Sequence, residues 1–255
     1  MAPNDTFYPK YLYKYYPQEN WNFIATDWTI RFTPVKELND YFECIPVSDN
    51  ILSTKSKEIL LTEDKIDCSS PSVADYINEN LHSIINRYGV LSLTESSDNL
   101  LMWSHYASAH EGFVVEFDTE KLNVLKRKDI QDISIHKVEY SRMRNNVFED
   151  GERRTPLSFL GKKAMQWSYE KEWRSIVDIV TQKIEKNGIK GVREICKSSI
   201  SSIIFGANMS DDMIKKYCQD IYQQEGCENI AFKKAKLHQK KYDIVIEKIA
   251  TSLYK

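Results

Sequence analysis

The chain has 255 residues, a formal net charge of −2, 28% charged and 12% aromatic residues. Such a composition belongs to a folded globular protein and excludes a disordered one, and the near-neutral balance gives no global signal for nucleic acid or a membrane surface. The length suits one large domain or two small ones and is enough for a sizeable core without staples.

Taken in chain order, Tyr11–Tyr16 is aromatic-rich and alternating and predicts a strand ended by Pro17. Trp28–Thr33 predicts a second strand stopped by Pro34, and Val35–Phe42 a helical turn carrying Asn39 and Asp40. Residues 49–70 are polar and mixed and carry no assignable pattern. Apolar Val73, Ile77, Leu81, Ile84 and Ile85 predict a helix over Ser72–Arg87, capped by Ser70 or Ser72 and ended by Gly89.

Val90–Thr94 reads as a strand. Asp98 or Asn99 is placed to cap a helix from Leu100 to about Ala109, with Gly112 past its end. Gly112–Asp118 and Ile135–Tyr140 predict strands, Arg142–Arg154 a charged loop and Leu157–Met165 a short helix. Ser201–Gly206 predicts a strand, Asp211–Gln224 an amphipathic helix and Asp243–Ile249 a last strand.

Strands and helices intermix without a regular βαβ rhythm, and there is no internal repeat, linker, G-x-G-x-x-G or Walker motif. The expected fold class is α+β: a single domain over 1–255 with a mixed, largely antiparallel sheet and flanking helices. Cys44, Cys68, Cys196, Cys218 and Cys227 are odd in number and none forms a C-x-x-C, which argues against a zinc ribbon or a disulfide framework. No secretory signal and no long apolar run is present, so the expectation is a reduced, cytoplasmic protein with no membrane partner.

The most informative stretch is Trp167-Ser-Tyr-Glu-Lys-Glu-Trp-Arg174. On an extended backbone Glu170, Glu172 and Arg174 project from one face, with Tyr169, Lys171 and Trp173 on the other. The following Ser175–Val180 is β-branched-rich and reads as a buried strand. Three charged groups at the mouth of such a strand suggest a pocket edge; the bland alternative is an exposed Glu–Arg pair.

A second block is Leu100-Leu-Met-Trp-Ser-His-Tyr-Ala-Ser-Ala-His110. Trp103, His105 and Tyr106 are candidates for a flat polar wall that stacks a base or a nicotinamide ring. The alternative is a core helix that uses Trp103 and Met102, with His105 satisfied at the boundary. His105 and His110 are five apart, off the face a helical metal site needs, so no metal site is expected. Arg142, Arg144, Arg153 and Arg154, and Lys233, Lys234, Lys236, Lys240 and Lys241, form basic clusters whose default is a solvated loop and whose alternative is a phosphate contact.

Three blocks together resemble the bacterial domain of unknown function 2971 family: Leu12–Tyr15 with Asn39-Asp40-x-Phe-Glu43; Ser92 with Leu101–Tyr106 and His110–Phe113; and Trp167–Arg174. The order of elements is also similar to ADP-ribosyltransferase folds. That second resemblance implies a first strand holding the nicotinamide ribose, a second strand with a hydroxyl residue, and a later strand that opens with a catalytic glutamate. Here these would be Leu12–Tyr16, Val90–Thr94 and Glu170-Lys-Glu172. Lys14 stands where the family has His or Arg, unless Tyr13, Tyr15 or Arg31 takes that role.

The resemblance implies NAD as substrate and catalytic Glu172 and Glu170. It implies a cofactor-binding set of Tyr13, Lys14, Tyr15, Ser92, Trp103, His105, Tyr106 and Arg174. The implied partners are a nucleic-acid or protein acceptor and an antitoxin, in a bacterial toxin or phage-defence effector. Two other classes are a non-catalytic nucleotide or nucleic-acid binding module and a metal-dependent nuclease.

Overall fold

Alternation of the β1 side chains (Tyr11–Tyr16) sends Leu12 and Tyr16 into one apolar cluster and Tyr13 and Tyr15 into another, so β1 is buried on both faces. It lies near the middle of a nine-stranded sheet. The computed structural model describes residues 9–40, 42, 83–122, 124, 135–144, 159–250 and 252, with the backbone of 148–149 and 152–153. The unassigned residues 49–70, most of the predicted helix over 72–87, Cys44 and Cys68 lie outside the described residues.

The further strands are β2 (Thr29–Arg31), β3 (Thr33–Pro34), β4 (Tyr88–Thr94), β5 (Phe113–Asp118), β6 (Ile135–Lys137), β7 (Glu139–Ser141), β8 (Phe148–Glu149) and β9 (Glu152–Arg153). After them come β10 (Lys162–Ala164), β11 (Glu172–Asp178), β12 (Glu185–Lys186), β13 (Ile189–Lys190), β14 (Val192–Glu194), β15 (Ile200–Phe205), β16 (Ala231–Leu237) and β17 (Ile244–Lys248). The main sheet runs β17-β16-β15-β5-β1-β4-β11-β6, with β3 on β4. Its pairs are antiparallel except β15 with β16. The fold is therefore α+β with a mixed, mostly antiparallel sheet and few helices.

Helices α1 (Trp21–Ala25) and α3 (Asp211–Tyr222) pack with Leu12, Tyr16, Phe113, Val115 and Phe205. Helix α2 (Leu100–Tyr106) covers the other face with Tyr15, Val114 and Ile204. Asn99 caps α2 by accepting from the Leu101 and Met102 N–H groups, and Ser210 caps α3 through Met213 N–H.

One register detail shapes the site. β1 pairs with β5 along its whole length, from Tyr11↔Asp118 to Tyr16↔Phe113. It pairs with β4 at Tyr13↔Thr94 alone, while β3 pairs with β4 at Thr33↔Val90. Beyond Tyr13 the two central strands part and leave a slot in the sheet.

Several expectations need correction. Trp28–Thr33 is not one strand: the chain breaks at Phe32 into β2 and β3, whose partners β14 and β4 differ. Gly89 lies inside β4 and ends no helix. Helix α2 stops at Tyr106 rather than Ala109, because Ser108, Ala109 and His110 take left-handed backbone. That turn brings Gly112 against β1, where a Cβ would lie 2.2 Å from the Tyr16 carbonyl oxygen. Ile135–Tyr140 is split into β6 and β7, and the Arg142–Arg154 segment contains the β8–β9 hairpin. Of the predicted helix over Leu157–Met165, Phe159 and Leu160 are helical, and the chain then turns into strand β10 followed by a 3₁₀ helix at Met165–Glu170. The lysine-rich stretch is only partly a loop: Lys233, Lys234 and Lys236 lie on β16 and pair with Glu116, Asp211 and Glu247, while Lys240 and Lys241 lie exposed in the turn between β16 and β17.

Candidate functional site

Lys171 takes left-handed backbone (φ 46°) and turns the 3₁₀ helix into β11. From Glu172 onward the strand alternates: Trp173 goes to the apolar core, while Glu172 and Arg174 face the side of α2. Register then fixes their neighbours. Glu172 stands opposite Thr94 and Arg174 opposite Ser92, all on one face of the sheet. Glu170 reaches the same place from the end of the 3₁₀ helix, not by strand alternation as the sequence pattern suggested.

The missing partner is Lys163. Parallel pairing of β10 with β7 carries it under the glutamates, where its ammonium lies 2.6 Å from Glu170 Oε2 and 3.2 Å from Glu172 Oε2. Arg174 grips Glu172 with two bonds, Nε to Oε1 at 2.8 Å and a terminal nitrogen to Oε2 at 3.0 Å, and donates to the Leu160 carbonyl. Tyr106 on α2 donates to Glu170 Oε1 at 2.6 Å and accepts from the Asn39 amide. The Tyr140 hydroxyl accepts from the Glu172 backbone N–H, and Thr94 donates to the Glu170 carbonyl. Two buried carboxylates thus meet two buried cations in one network, which is the condition under which buried charge is tolerated.

Burial pulls the Lys163 ammonium down, but Glu172 and Glu170 outweigh it and hold it above its ordinary value. Burial pushes the Glu172 carboxyl up, with Lys163 and the Ser92 hydroxyl pulling against it. Lys14 is a third cation. Its ammonium donates to the Ser92 carbonyl at 3.2 Å across the slot between β1 and β4, and burial draws it down to about 8.

These groups enclose a cavity of about 250 Å³. From β1 it receives Tyr13, Lys14 and Tyr15, from β4 Ser92, and from α2 Tyr106. Glu170, Glu172, Arg174 and Lys163 form its charged wall. Two of the predicted site residues are not brought there. Trp103 is fully buried in the core, edge-on to Tyr15, with its indole N–H on the Ser97 carbonyl. His105 is exposed on the outer side of α2. The 3.6-residue period that carries Tyr106 to the cavity turns His105 away from it.

Lys163 and Tyr140 escaped the sequence reading. Lys163 is one of two adjacent lysines in a segment read as helix, and only the pairing of β10 with β7 shows which of them is buried. The surface and buried lysines are told apart by tertiary structure, not by local pattern.

The model of the family "Protein of unknown function (DUF2971)" matches residues 102–175, from Met102 in α2 to Ser175 in β11. This segment is similar to the DUF2971 family. No curated protein and no solved structure matches the chain. The matched segment includes Tyr106, Lys163, Glu170, Glu172 and Arg174 of the cavity lining and Tyr140 bonded to Glu172, whereas Lys14, Glu37 and strands β1 and β4 lie before it. Among the described residues no three His, Cys, Asp or Glu side chains converge as metal ligands, and no helix is long and apolar enough to cross a membrane.

Proposed function

We propose that the cavity binds NAD, breaks its nicotinamide–ribose bond and transfers ADP-ribose to a nucleic-acid or protein acceptor. The observation that carries this is the adjacency of β1, β4 and β11, which puts Lys14, Ser92 and Glu172 around one cavity with Glu170 two residues before Glu172. That is the order of elements the ADP-ribosyltransferase resemblance implies. The donor set also fits such a substrate: a half-buried ammonium for phosphate, aromatic Tyr13, Tyr15 and Tyr106 for ring contact, and carboxylates for a developing cation.

In the reaction the C1′–N bond breaks and its electron pair leaves with nicotinamide, which gives an oxocarbenium-like ribosyl centre. Glu172, aimed by its two bonds to Arg174, stabilises that positive charge. An acceptor nucleophile attacks C1′ and gives up its proton to Glu170 or to water. Tyr106 and Lys163 fix the Glu170 carboxylate between them.

The test is incubation of the purified chain with NAD labelled in its adenylate half and whole-cell extract. Label in a nucleic-acid or protein fraction, absent with Glu172→Gln, is the expected result. Label in neither fraction, with NAD intact, would remove the proposal. In a toxin or phage-defence setting, expression should arrest growth and Glu172→Gln should relieve it.

One observation favours a second reading, a nucleotide-binding module without cleavage. Both carboxylates are already bonded, Glu172 to Arg174 and Lys163 and Glu170 to Tyr106 and Lys163. Saturable NAD binding by calorimetry, with no nicotinamide released, would select it.

A further inference from the structure

The 3₁₀ helix that delivers Glu170 carries a second group to the same edge. Side chains three apart eclipse in such a helix, so Trp167 stands one turn before Glu170. Lys163 ties the two together: its ammonium bonds Glu170 Oε2 at 2.6 Å and lies 5.0 Å from the centre of the Trp167 ring. The chain has five tryptophans, all of them described. Trp21, Trp28, Trp103 and Trp173 are buried, and Trp167 alone is half-buried. A large flat ring thus stands part-open to solvent beside the carboxylate on the acceptor side.

Basic side chains adjoin that ring. β10 and β7 run parallel with Ala164 beside Ser141, so Arg142 leaves β7 where Met165 opens the 3₁₀ helix. Arg142 and Arg144 are exposed. Glu139, the carboxylate on β7, is matched by Lys162. The chain running on from Asn39 in the cavity lining reaches Phe42, which is 60% exposed and lies 5.6 Å under the Arg144 guanidinium. Open aromatic rings interleaved with cations are what holds single-stranded nucleic acid, because the rings stack bases and the cations hold phosphates. The two arginines favour such a strand over a peptide.

We propose that the acceptor is a base of single-stranded nucleic acid, stacked on Trp167 beside Glu170, with its flanking phosphates on Arg142 and Arg144. The proposal deepens the NAD reading and rests on it for the transfer step alone. In that step an N–H nitrogen of the stacked base attacks C1′ as nicotinamide leaves, and its proton passes to Glu170 or to water. Strand binding itself needs no NAD. In a duplex the base faces are already stacked, so a duplex is the poorer ligand.

The experiment titrates the full chain, without NAD, with mixed-sequence DNA and RNA oligonucleotides, reading the anisotropy of a labelled strand and the tryptophan emission with an unlabelled one. A single strand of at least one kind should bind at a saturable site, more tightly than the matching duplex or dTMP, and quench the emission. The other four tryptophans are buried, so the quench should vanish in Trp167→Phe while that variant still binds the strand. Trp167→Ala should weaken the strand by roughly tenfold to a hundredfold. Arg142→Gln should reduce the slope of log affinity against log salt by about 0.7, the share of one phosphate contact. Parent affinity in Trp167→Ala, a quench that survives Trp167→Phe, or a duplex or dTMP bound as tightly as the strand would each overturn the proposal. With adenylate-labelled NAD added, label in the oligonucleotide is the expected result. Nicotinamide release with no strand binding, or label in protein alone, would overturn the proposal and leave the NAD reading standing. Strand binding of the expected kind without nicotinamide release would support the strand site and remove the NAD reading.

Discussion

Replacing Lys163 with methionine keeps most of the side-chain volume and removes a cation that touches both glutamates, 2.6 Å from Glu170 and 3.2 Å from Glu172. All three side chains are buried, with only their cavity-facing edges open to water. Truncating one partner of a buried ion pair costs about 3–5 kcal/mol, most of it from the charge left behind. For a chain of this length each kcal/mol moves the melting temperature by about 2–4 °C, so Lys163→Met should melt roughly 6–20 °C lower. The effect also has a pH sign. In the parent, Lys163 sits above its ordinary value, so its stabilisation is full below about pH 10.4 and is lost only as pH rises through the folded value. Glu172 sits above the unfolded carboxyl value, and its contribution therefore falls as pH rises past about 4.3. Removing Lys163 takes away a group that pulls Glu172 down, so Glu172 rises further and the variant loses more stability between pH 5 and 8. Thermal melts of both proteins at pH 5.5 and 8 should show a gap that widens with pH. Adding Glu170→Gln should narrow the gap at pH 8, because it removes one uncompensated charge. A loss below about 1 kcal/mol with no pH dependence would refute the charge network as described.

Trp103→Ala should destabilise by about 3–5 kcal/mol as a core cavity, while His105→Ala should stay within about 0.5 kcal/mol of the parent and leave NAD turnover unchanged. Glu170→Gln should impair transfer to the acceptor and leave slow NAD hydrolysis, read by comparing labelled acceptor with released nicotinamide. A thiol reagent should modify exposed Cys196 in the native protein and reach buried Cys218 and Cys227 only after unfolding, which mass spectrometry of the labelled peptides will show.

The strands with clear alternation or β-branched runs were legible within a residue or two: β1, β4, β5, β15 and β17. The starts of α2 and α3 were legible too, α2 from the Asp98-Asn99 cap position and α3 from its amphipathic period, while α2 ends three residues before the expected Ala109. The glutamate segment was singled out for a partly wrong geometric reason. A two-residue period accounts for Glu172 and Arg174, but Glu170 arrives through a 3₁₀ turn and the left-handed Lys171. Lys163 was not legible, since the parallel pairing of β10 with β7 is a tertiary event between short segments. β16 was hidden by its lysines, three of which are paired with acids on neighbouring elements. In α2 the same helical period could serve a core or a pocket wall, and the structure divides it: Trp103 to the core, Tyr106 to the cavity and His105 to solvent.

The central claim is that Glu172 stabilises a ribosyl cation derived from NAD. The most direct measurement is nicotinamide release from NAD by the parent and by Glu172→Gln, with melting temperatures confirming that both are folded. Glutamine keeps the shape and removes the charge, and losing one well-placed electrostatic group costs roughly 3–4 kcal/mol, or about 10²–10³ in rate. The prediction is therefore measurable release by the parent and a loss of that size in the variant. Release at the parent rate by a folded Glu172→Gln protein would contradict it.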